Sequence, residues 1–401
     1  MKQYIELLKT ESVFRRLSTI QLIAYFGAWF SNVAIYTLLI ELNVDAKVVA
    51  FVAMLHFLAG VIQAPLSGSI IDSVKPKKLL LTLISFEIVS TFLLIFINTV
   101  SDLNFLYILI FIKMAAASFY FTTEMSLLPK ILHGSKLQHA NELHSIIWSF
   151  SYTLGMAVSG FVVYLLGIKV AFLLDTMMFI VGFFLLYTLD INIEIIKTKE
   201  KLFDMMKDTF EYIKKYPHAM HLMFVHAFIG LTAFDALVAL MVDKYYASII
   251  AASLALGILH ASRALGLVIG PMLLSRYTNN KGLFYIFIAQ AIAVWFWAYM
   301  MHNFYLSIIA SLFVGLFTTT LWSYTYTLLQ KNIDEKYYGR IVAYNDMLFL
   351  SSAAFTSYIT GVLAENSFSL ENIAFIIGIG FIIGGVYFKW VIKTQNIKEV
   401  S

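Results

Sequence analysis

The sequence contains no cysteine and little charge. Among its 401 residues, 13% are charged and 60% are hydrophobic, and the mean hydropathy is +0.82. The absence of cysteine excludes a disulfide framework and a thiolate metal site. Soluble domains carry about 25% charged residues. The composition therefore predicts a polytopic membrane protein.

Motifs for nucleotide binding and for catalysis are also absent. The sequence has no G-x-x-x-x-G-K-[ST] loop, which argues against an ATP-driven pump. It shows no nucleophile paired with a base, no catalytic acid pair and no zinc motif, and its histidines lack metal-ligand spacing. We therefore expect neither an enzyme nor a bound cofactor or metal, and we expect a proton gradient as the energy source.

Twelve mostly apolar segments are long enough to cross a membrane as helices, which takes about 20 residues each. Six precede and six follow one polar stretch in the middle of the chain, so the sequence predicts an all-α membrane protein with two six-helix bundles. The predicted spans 1 to 12 cover residues 17–41, 47–71, 79–100, 104–128, 141–166, 168–189, 219–242, 248–274, 283–302, 304–329, 340–363 and 371–392.

The polar stretch at 190–217 divides the sequence into an N-terminal bundle (1–189) and a C-terminal bundle (218–401). In its second part, Leu202, Met206, Phe210 and Ile213 recur at helical spacing, which predicts an amphipathic helix. Such a helix lies either on the membrane surface or in solvent as a linker. We interpret the stretch as a cytoplasmic linker.

Short sequence words repeat between the two halves at one offset. LLPK at 127–130 and LLQK at 328–331 are 201 residues apart, and the same offset relates Ser159-Gly160 to Thr360-Gly361. A shared offset of half the chain indicates a duplicated six-helix unit with a substrate path between the copies. Chance identity of short apolar words is the alternative.

The distribution of basic residues predicts the orientation. Placing both termini and every even-numbered loop inside leaves only Lys47, Lys169 and Lys244 outside and Lys113 and Arg263 within spans, out of 28 lysines and arginines. Such an asymmetry follows the positive-inside rule. The positive charges thus reflect membrane topology, and we expect no nucleic-acid partner.

The loop between spans 2 and 3 reads GSIIDSVKPKK (68–78) and resembles the G-x-x-x-D-R-x-G-R-R signature of the major facilitator superfamily. Gly68, Asp72 and Lys77 match this signature, whereas Ser73, Lys75 and Pro76 depart from it. The resemblance implies a 12-helix transporter in which spans 1, 4, 7 and 10 line a central cavity.

Longer words resemble the macrolide-efflux and enterobactin-exporter-like branch of that superfamily. They are FRRLSTIQLIAYFGAWFSNVAIYTL (14–38), the stretch at 127–160 and GRIVAYNDMLFL (339–350). Within span 5, Gly155 to Gly160 stands where exporters carry G-P-x-x-G-G, but Met156 replaces the proline and Ser159 a glycine. The branch implies export, and this departure leaves the antiport mechanism open.

Five ionisable residues within predicted spans are functional candidates, because a charge inside the bilayer is costly. We predict that Lys113, Asp235 and Arg263 form a charged cluster whose pairing changes with protonation or cargo; a static structural pair is the alternative. Glu87 in span 3 either faces the bundle or is protonated, which makes it a candidate proton site. By the resemblance, Asp175 is a structural residue near the outer end of span 6.

Aromatic and polar residues on the implied cavity spans are candidate cargo contacts. They suit a bulky amphipathic organic molecule. The candidates are Trp29, Phe30 and Asn32 in span 1, Tyr120 in span 4 and Trp322 in span 10.

A cytoplasmic gate is predicted around span 2. Asp72 should approach the N-terminus of span 11, where the helix dipole favours a carboxylate, and Arg340 is its expected ionic partner. Glu124, at the inner end of span 4, should join the basic residues of the loop. Gly68 and Lys77 complete this gate. Alternatively, the loop lysines serve topology only.

The sequence as a whole predicts a proton-coupled secondary transporter, a monomer in a bacterial inner membrane with both termini cytoplasmic. We expect it to export an amphipathic organic molecule, drug-like or siderophore-like. Two alternatives stay open. GSKLQHAN (134–141) also resembles lysophospholipid transporters, which favours lipid flipping, and a non-transporting sensor would have the same fold.

Overall fold

The computed structural model describes residues 2–190, 202–395 and 397, and a few side chains within these ranges are left out. All regular structure in this part of the chain is helical. The α-helices are α1 (Lys2–Thr10), α2 (Ser12–Glu41), α3 (Ala46–Ser73), α4 (Pro76–Leu93), α5 (Leu103–Ile131), α6 (Ser135–Leu166), α7 (Ile168–Tyr187), α8 (Leu202–Lys215), α9 (Pro217–Ala227), α10 (Asp235–Met241), α11 (Ala252–Leu274), α12 (Gly282–Met300), α13 (Phe304–Asn332), α14 (Glu335–Glu365) and α15 (Leu370–Thr394).

Twelve helical stretches are long and apolar enough to cross a membrane, and each overlaps one predicted span. Spans 1 to 6 correspond to α2 to α7, and spans 8 to 12 correspond to α11 to α15. Span 7 consists of α9 and α10 with a 3-10 segment, Phe228–Thr232, between them. The predicted all-α membrane fold is confirmed.

The outward faces of these helices are apolar. Phe161 and Leu165 on α6 and Phe184 on α7 are more than half exposed. In water such a surface would be unfavourable, but lipid hydrocarbon covers it without a hydrophobic penalty, while each helix satisfies its own backbone hydrogen bonds.

The predicted linker helix is present as α8, and it is fixed to the start of α14. Asp208 accepts a hydrogen bond from the Tyr337 hydroxyl at 3.1 Å and lies 3.3 Å from the Arg340 guanidinium. Tyr212 stacks on Tyr337 at 4.2 Å between ring centroids and accepts the Asp334 N–H at 3.1 Å. The linker is therefore held by specific contacts where it is described; residues 191–201 lie outside the described part.

The chain forms two compact units. Unit 1 contains Met1–Asn43, Ile62–Thr198 and Ala251–Ala261, and unit 2 contains Val44–Val61, Lys199–Ile250 and Ser262–Ser401. Residues 44–61 and 251–261 thus belong to the unit opposite to the one expected from a simple division at 190–217. The predicted boundaries of the two six-helix bundles stay a prediction.

Glycine allows close helix crossings in both units, and one crossing in each involves the repeated sequence. In unit 1, a Cβ atom on Gly160 of α6 would lie 2.5 Å from the carbonyl oxygen of Ser253 on α11. In unit 2, a Cβ on Gly361 of α14 would lie 2.7 Å from the carbonyl oxygen of Ala46 on α3. Small residues let helix backbones approach in membranes. The repeated dipeptides Ser159-Gly160 and Thr360-Gly361 therefore have the same structural role in both halves: their glycine allows two helix backbones to approach closely.

Gly160→Ala should destabilise the protein, because the α6 and α11 backbones must separate to admit the methyl group. We expect a loss of about 1–3 kcal/mol, as for other overpacked sites, measured as a lower midpoint of thermal unfolding in detergent. Gly339→Ala is the control, since a Cβ there meets nothing within 4 Å. Equal midpoints for both variants would contradict this role of Gly160.

Candidate functional site

A buried ion pair in unit 1 joins α5 and α7. The Lys113 ammonium lies 3.2 Å from Asp175 Oδ2, and the side chains are 2% and 0% exposed. The ammonium also donates to Thr91 Oγ1 at 3.0 Å and lies 4.6 Å from the ring centroid of Phe179. A carboxylate, a hydroxyl and an aromatic face thus replace the water around this cation.

Helix geometry brings these groups to one place. Asp175 and Phe179 are four residues apart on α7 and therefore lie on the same face. Across from them, a Cβ on Gly27 of α2 would collide with Asp175 Oδ1, so glycine is what allows α2 to pack against this carboxylate. Asp175 Oδ1 has no hydrogen-bond partner among the described residues.

A second carboxyl group, Glu87, lies beside this pair. Glu87 is 3% exposed on α4, one helical turn before Thr91. Its charge interacts with those of Lys113 and Asp175. The buried group therefore contains two acids and one base, and we call Glu87, Lys113 and Asp175 the ionisable triad.

The described ion-pair partner of Lys113 is one that the sequence interpretation did not assign to it. The sequence grouped Lys113 with Asp235 and Arg263, and assigned Asp175 a structural role near the outer end of its span. Lys113 instead pairs with Asp175, because α5 and α7 present the two side chains at the same depth of unit 1. Asp235 and Arg263 belong to unit 2, so the cluster of three stays a prediction.

Arg263 stabilises a break in span 7 that the sequence did not reveal. Its Nη2 donates to the Thr232 carbonyl at 2.8 Å, and its guanidinium carbon lies 5.0 Å from the Phe234 ring centroid. Helical geometry stops at Ala233 and resumes at Asp235, the first residue of α10. Backbone carbonyls that lose their helical hydrogen bond at membrane depth need another partner within the protein. Arg263 supplies one at this break.

The residues that the sequence predicts to contact cargo fall into three sets: an aromatic group in each unit and three buried side chains. In unit 1, Trp29 packs edge-on against Trp148 and Tyr152, at centroid distances of 5.6 and 4.5 Å. In unit 2, Trp322 packs against His226 and Phe349 at 4.5 and 4.6 Å. Phe30, Asn32 and Tyr120 are all at least 96% buried. Contact of any of these with cargo stays a prediction.

The gate residues are only partly described. Gly68 and Asp72 lie on α3, but their side chains fall outside the described residues, so the contact of Asp72 with Arg340 stays a prediction. The described ion pair of Arg340 is with Asp208. Lys77 lies over the Tyr187 ring, 5.8 Å from its centroid.

Glu124 differs from its expected position in the gate. The sequence placed it with the lysines of the loop between spans 2 and 3, but its side chain is 2% exposed and its described neighbours are Tyr25 and Tyr120. Its helical phase explains the difference: Glu124 follows Tyr120 by one turn and Lys113 by three turns, and all three lie on the buried face of α5.

Lys113→Met should destabilise the protein strongly, because it leaves Asp175 buried without its counter-charge. Breaking a buried ion pair costs about 3–5 kcal/mol, whereas replacing both partners by apolar residues is often neutral. Lys113→Met with Asp175→Leu should therefore recover most of the loss in unfolding free energy, measured by denaturant titration in micelles. The exposed Lys169→Met is the control. A double variant no more stable than Lys113→Met would argue against the pair.

Comparison with known proteins gives a family match and several similar folds. A sequence model of the Major Facilitator Superfamily matches residues 17–301, and no curated protein matches the chain. The similar solved structures include the nucleoside transporter NupG (13% identity, TM-score 0.71, 95% of this chain and 99% of that one). They also include a D-xylose-proton symporter (12%, 0.77, 94% and 97%) and the POT family transporter PepTSo (12%, 0.74, 96% and 98%). At these identities the likeness shows the fold alone.

Proposed function

The chain belongs to the Major Facilitator Superfamily, and on that premise we propose that this transporter exports an amphipathic organic molecule in exchange for protons. As a multi-pass membrane transporter it is not an enzyme. The matches favour no branch of the superfamily, so the resemblance to macrolide and enterobactin exporters contributes to the proposal only as an expectation about cargo.

The observation that supports proton coupling most is the ionisable triad. Lys113 neutralises one carboxylate, and a second ionised carboxylate buried beside the pair would leave an uncompensated charge. The triad is therefore electrically balanced when it holds one extra proton on Glu87 or Asp175. A buried site that needs one proton for charge balance is suited to carry that proton across a transport cycle.

The extra proton can reside on either carboxyl group, which gives the triad two arrangements of its ion pair. With Glu87 protonated, Lys113 pairs with Asp175, as in the structure. With the proton on Asp175, the remaining carboxylate is Glu87, and Lys113 turns towards it. Such a change alters the contacts between α4, α5 and α7, and a proton entering or leaving can thus bias the helix arrangement. A similar fold belongs to a D-xylose-proton symporter, which is consistent with proton coupling in this architecture.

The aromatic groups support an amphipathic cargo. Trp29 with Trp148 and Tyr152, and Trp322 with His226 and Phe349, offer flat apolar faces together with N–H and O–H groups. The resemblance adds export as the direction and a bacterial inner membrane as the location. The distribution of basic residues adds cytoplasmic termini, and a monomer is the default expectation for this fold. Lysophospholipid transport is the second candidate, favoured by GSKLQHAN at 134–141.

Proton exchange is tested in proteoliposomes that contain a pH-sensitive dye. Drug-like cations, macrolides, catecholate siderophores and lysolipids are added one at a time to the purified protein. A cargo-evoked proton flux should appear in wild type and fall about tenfold or more in Glu87→Gln, an effect of at least about 1.4 kcal/mol. Glu87→Gln leaves the Lys113–Asp175 pair in place, and Lys169→Gln is the control.

Undiminished proton flux in Glu87→Gln and in Asp175→Asn would rule out the triad as the coupling site. Lysolipid translocation without any proton movement would favour the lipid alternative. Absence of both activities for the whole panel would favour the sensor.

A gate at Asp72 is part of the same proposal. Asp72→Asn should lower the transport rate about tenfold while expression and thermal stability stay unchanged, because it removes a charge from the end of α3 but changes little volume. The exposed Asp45→Asn is the control. A wild-type transport rate in Asp72→Asn would contradict the gate and favour the alternative, in which the basic residues of the loop serve topology only.

A further inference from the structure

A polar cluster joins three segments of unit 2 near the ends of their helices. It consists of Tyr245 at the end of span 7, His302 between α12 and α13, and Glu371 in the first turn of α15. All three residues belong to unit 2, and the predicted orientation places all three segments on the outer side of the membrane. Neither the proposed proton exchange nor the proposed gate at Asp72 uses this cluster.

Glu371 contacts both other members of the cluster. Its Oε1 accepts a hydrogen bond from the Tyr245 hydroxyl at 2.7 Å and lies 2.7 Å from His302 Nε2. The Tyr245 and His302 rings also contact each other, at 4.6 Å between centroids. The Glu371 side chain is 17% exposed, whereas the His302 side chain is 64% exposed. A largely buried carboxylate is thus paired with a histidine that solvent protons reach directly.

The backbone of span 7 is irregular on both sides of α10. The 3-10 segment Phe228–Thr232 precedes α10, and a π-helical segment, Val242–Tyr246, follows it directly. Segments of π-helix occur often at functional sites. Between these irregular segments, α10 is a piece of only seven residues, so its position depends on contacts near its two ends.

Two consecutive tyrosines make the contacts at the outer end of α10. The Tyr246 hydroxyl donates to the Met301 carbonyl at 2.6 Å, and its ring packs edge-on against Phe304. These groups are neutral, so this contact does not depend on pH near neutrality. The contact of Tyr245 with Glu371 and His302 differs, because it includes a carboxylate and an imidazole.

His302 is the member of the cluster whose charge changes near neutral pH. A histidine ordinarily gains its proton at about pH 6.5, whereas a glutamate stays ionised above about pH 5. Protonated His302 is a counter-charge for Glu371, and neutral His302 is not. The same segment of span 7 carries the exposed Asp243 and Lys244, with the Lys244 ammonium 5.3 Å from the Tyr245 ring. Aspartate and lysine ordinarily keep their charges between about pH 5.5 and 8.5, so their influence on His302 is constant.

We propose that Tyr245, His302 and Glu371 form a pH-sensitive latch, which protonation of His302 strengthens. Acidity on the outer side then restrains the outer end of span 7 against α15 and the loop between α12 and α13. The ion pair stabilises this contact while His302 is protonated, and the stabilisation is lost as the pH rises and His302 loses its proton. The latch goes beyond the proposed export function and requires neither its direction nor its cargo.

A double-mutant cycle at two pH values tests the latch. Thermal unfolding midpoints of the full-length protein in detergent are measured at about pH 5.5 and about pH 8.5 for wild type, His302→Gln, Glu371→Gln and the double variant. His302→Gln should lower the midpoint by about 1–2 °C more at the lower pH, the size expected for a partly exposed ion pair. The two substitutions should be coupled at the lower pH and close to additive at the higher pH.

Two variants separate the latch from other effects on stability. Tyr245→Phe keeps the ring against His302 but removes the hydroxyl, so it should lower the midpoint by similar amounts at both pH values. His133→Gln removes an exposed histidine of unit 1 and should leave the pH response of wild type unchanged. An equal effect of His302→Gln at both pH values, or additive substitutions at the lower pH, would overturn the latch.

The restraint on span 7 is measured with spin labels, because the sequence has no cysteine of its own. Labels are attached through Ser248→Cys, just after the π-helical segment, and Glu365→Cys, at the end of α14; both positions are exposed. The distribution of distances between the labels should be narrower at about pH 5.5 than at about pH 8.5, and this response should disappear in His302→Gln.

The same distribution at both pH values, or an unchanged pH response in His302→Gln, would contradict the restraint. Neither the unfolding nor the spin-label measurement requires a cargo. Failure of the latch is therefore distinguishable from failure of the export proposal, which the proton flux of Glu87→Gln decides.

Discussion

A charge inside a membrane must find its compensation within the protein, and this constraint organises both described units. In unit 1, Lys113 is stable at 2% exposure because Asp175, Thr91 and the Phe179 ring surround its ammonium group. Glu87 adds a second acid to one base, so the constraint that stabilises the pair also underlies the proposed dependence of the triad on one proton. Stability and the proposed proton binding thus have the same physical origin.

The constraint applies equally to the backbone. Span 7 breaks between Phe228 and Asp235, and Arg263 donates to the carbonyl of Thr232 at that break. Non-helical backbone at membrane depth persists only where the protein satisfies it. A buried cation such as Arg263, which the sequence presents as a candidate binding residue, can therefore have a structural role.

Close packing makes these interactions possible. Gly27 allows α2 to approach the Asp175 carboxylate, and Gly160 and Gly361 allow helix crossings in unit 1 and unit 2. The last two glycines are 201 residues apart. A duplicated unit that keeps glycine at the same position keeps the same close approach, which gives the repeated words a physical meaning beyond resemblance.

The sequence by itself determined the twelve spans, because the thickness of the hydrocarbon core forces apolar runs of about 20 residues whatever their neighbours. It also identified Lys113, Glu87 and Arg263 as unusual, because charge within such runs is rare. Only the tertiary structure decided their partners: Asp175 for Lys113, the Thr232 carbonyl for Arg263, and tyrosines rather than lysines for Glu124. Helices that are apolar on every face carry little periodicity, so their rotation is set by packing against other helices, and local sequence does not encode it.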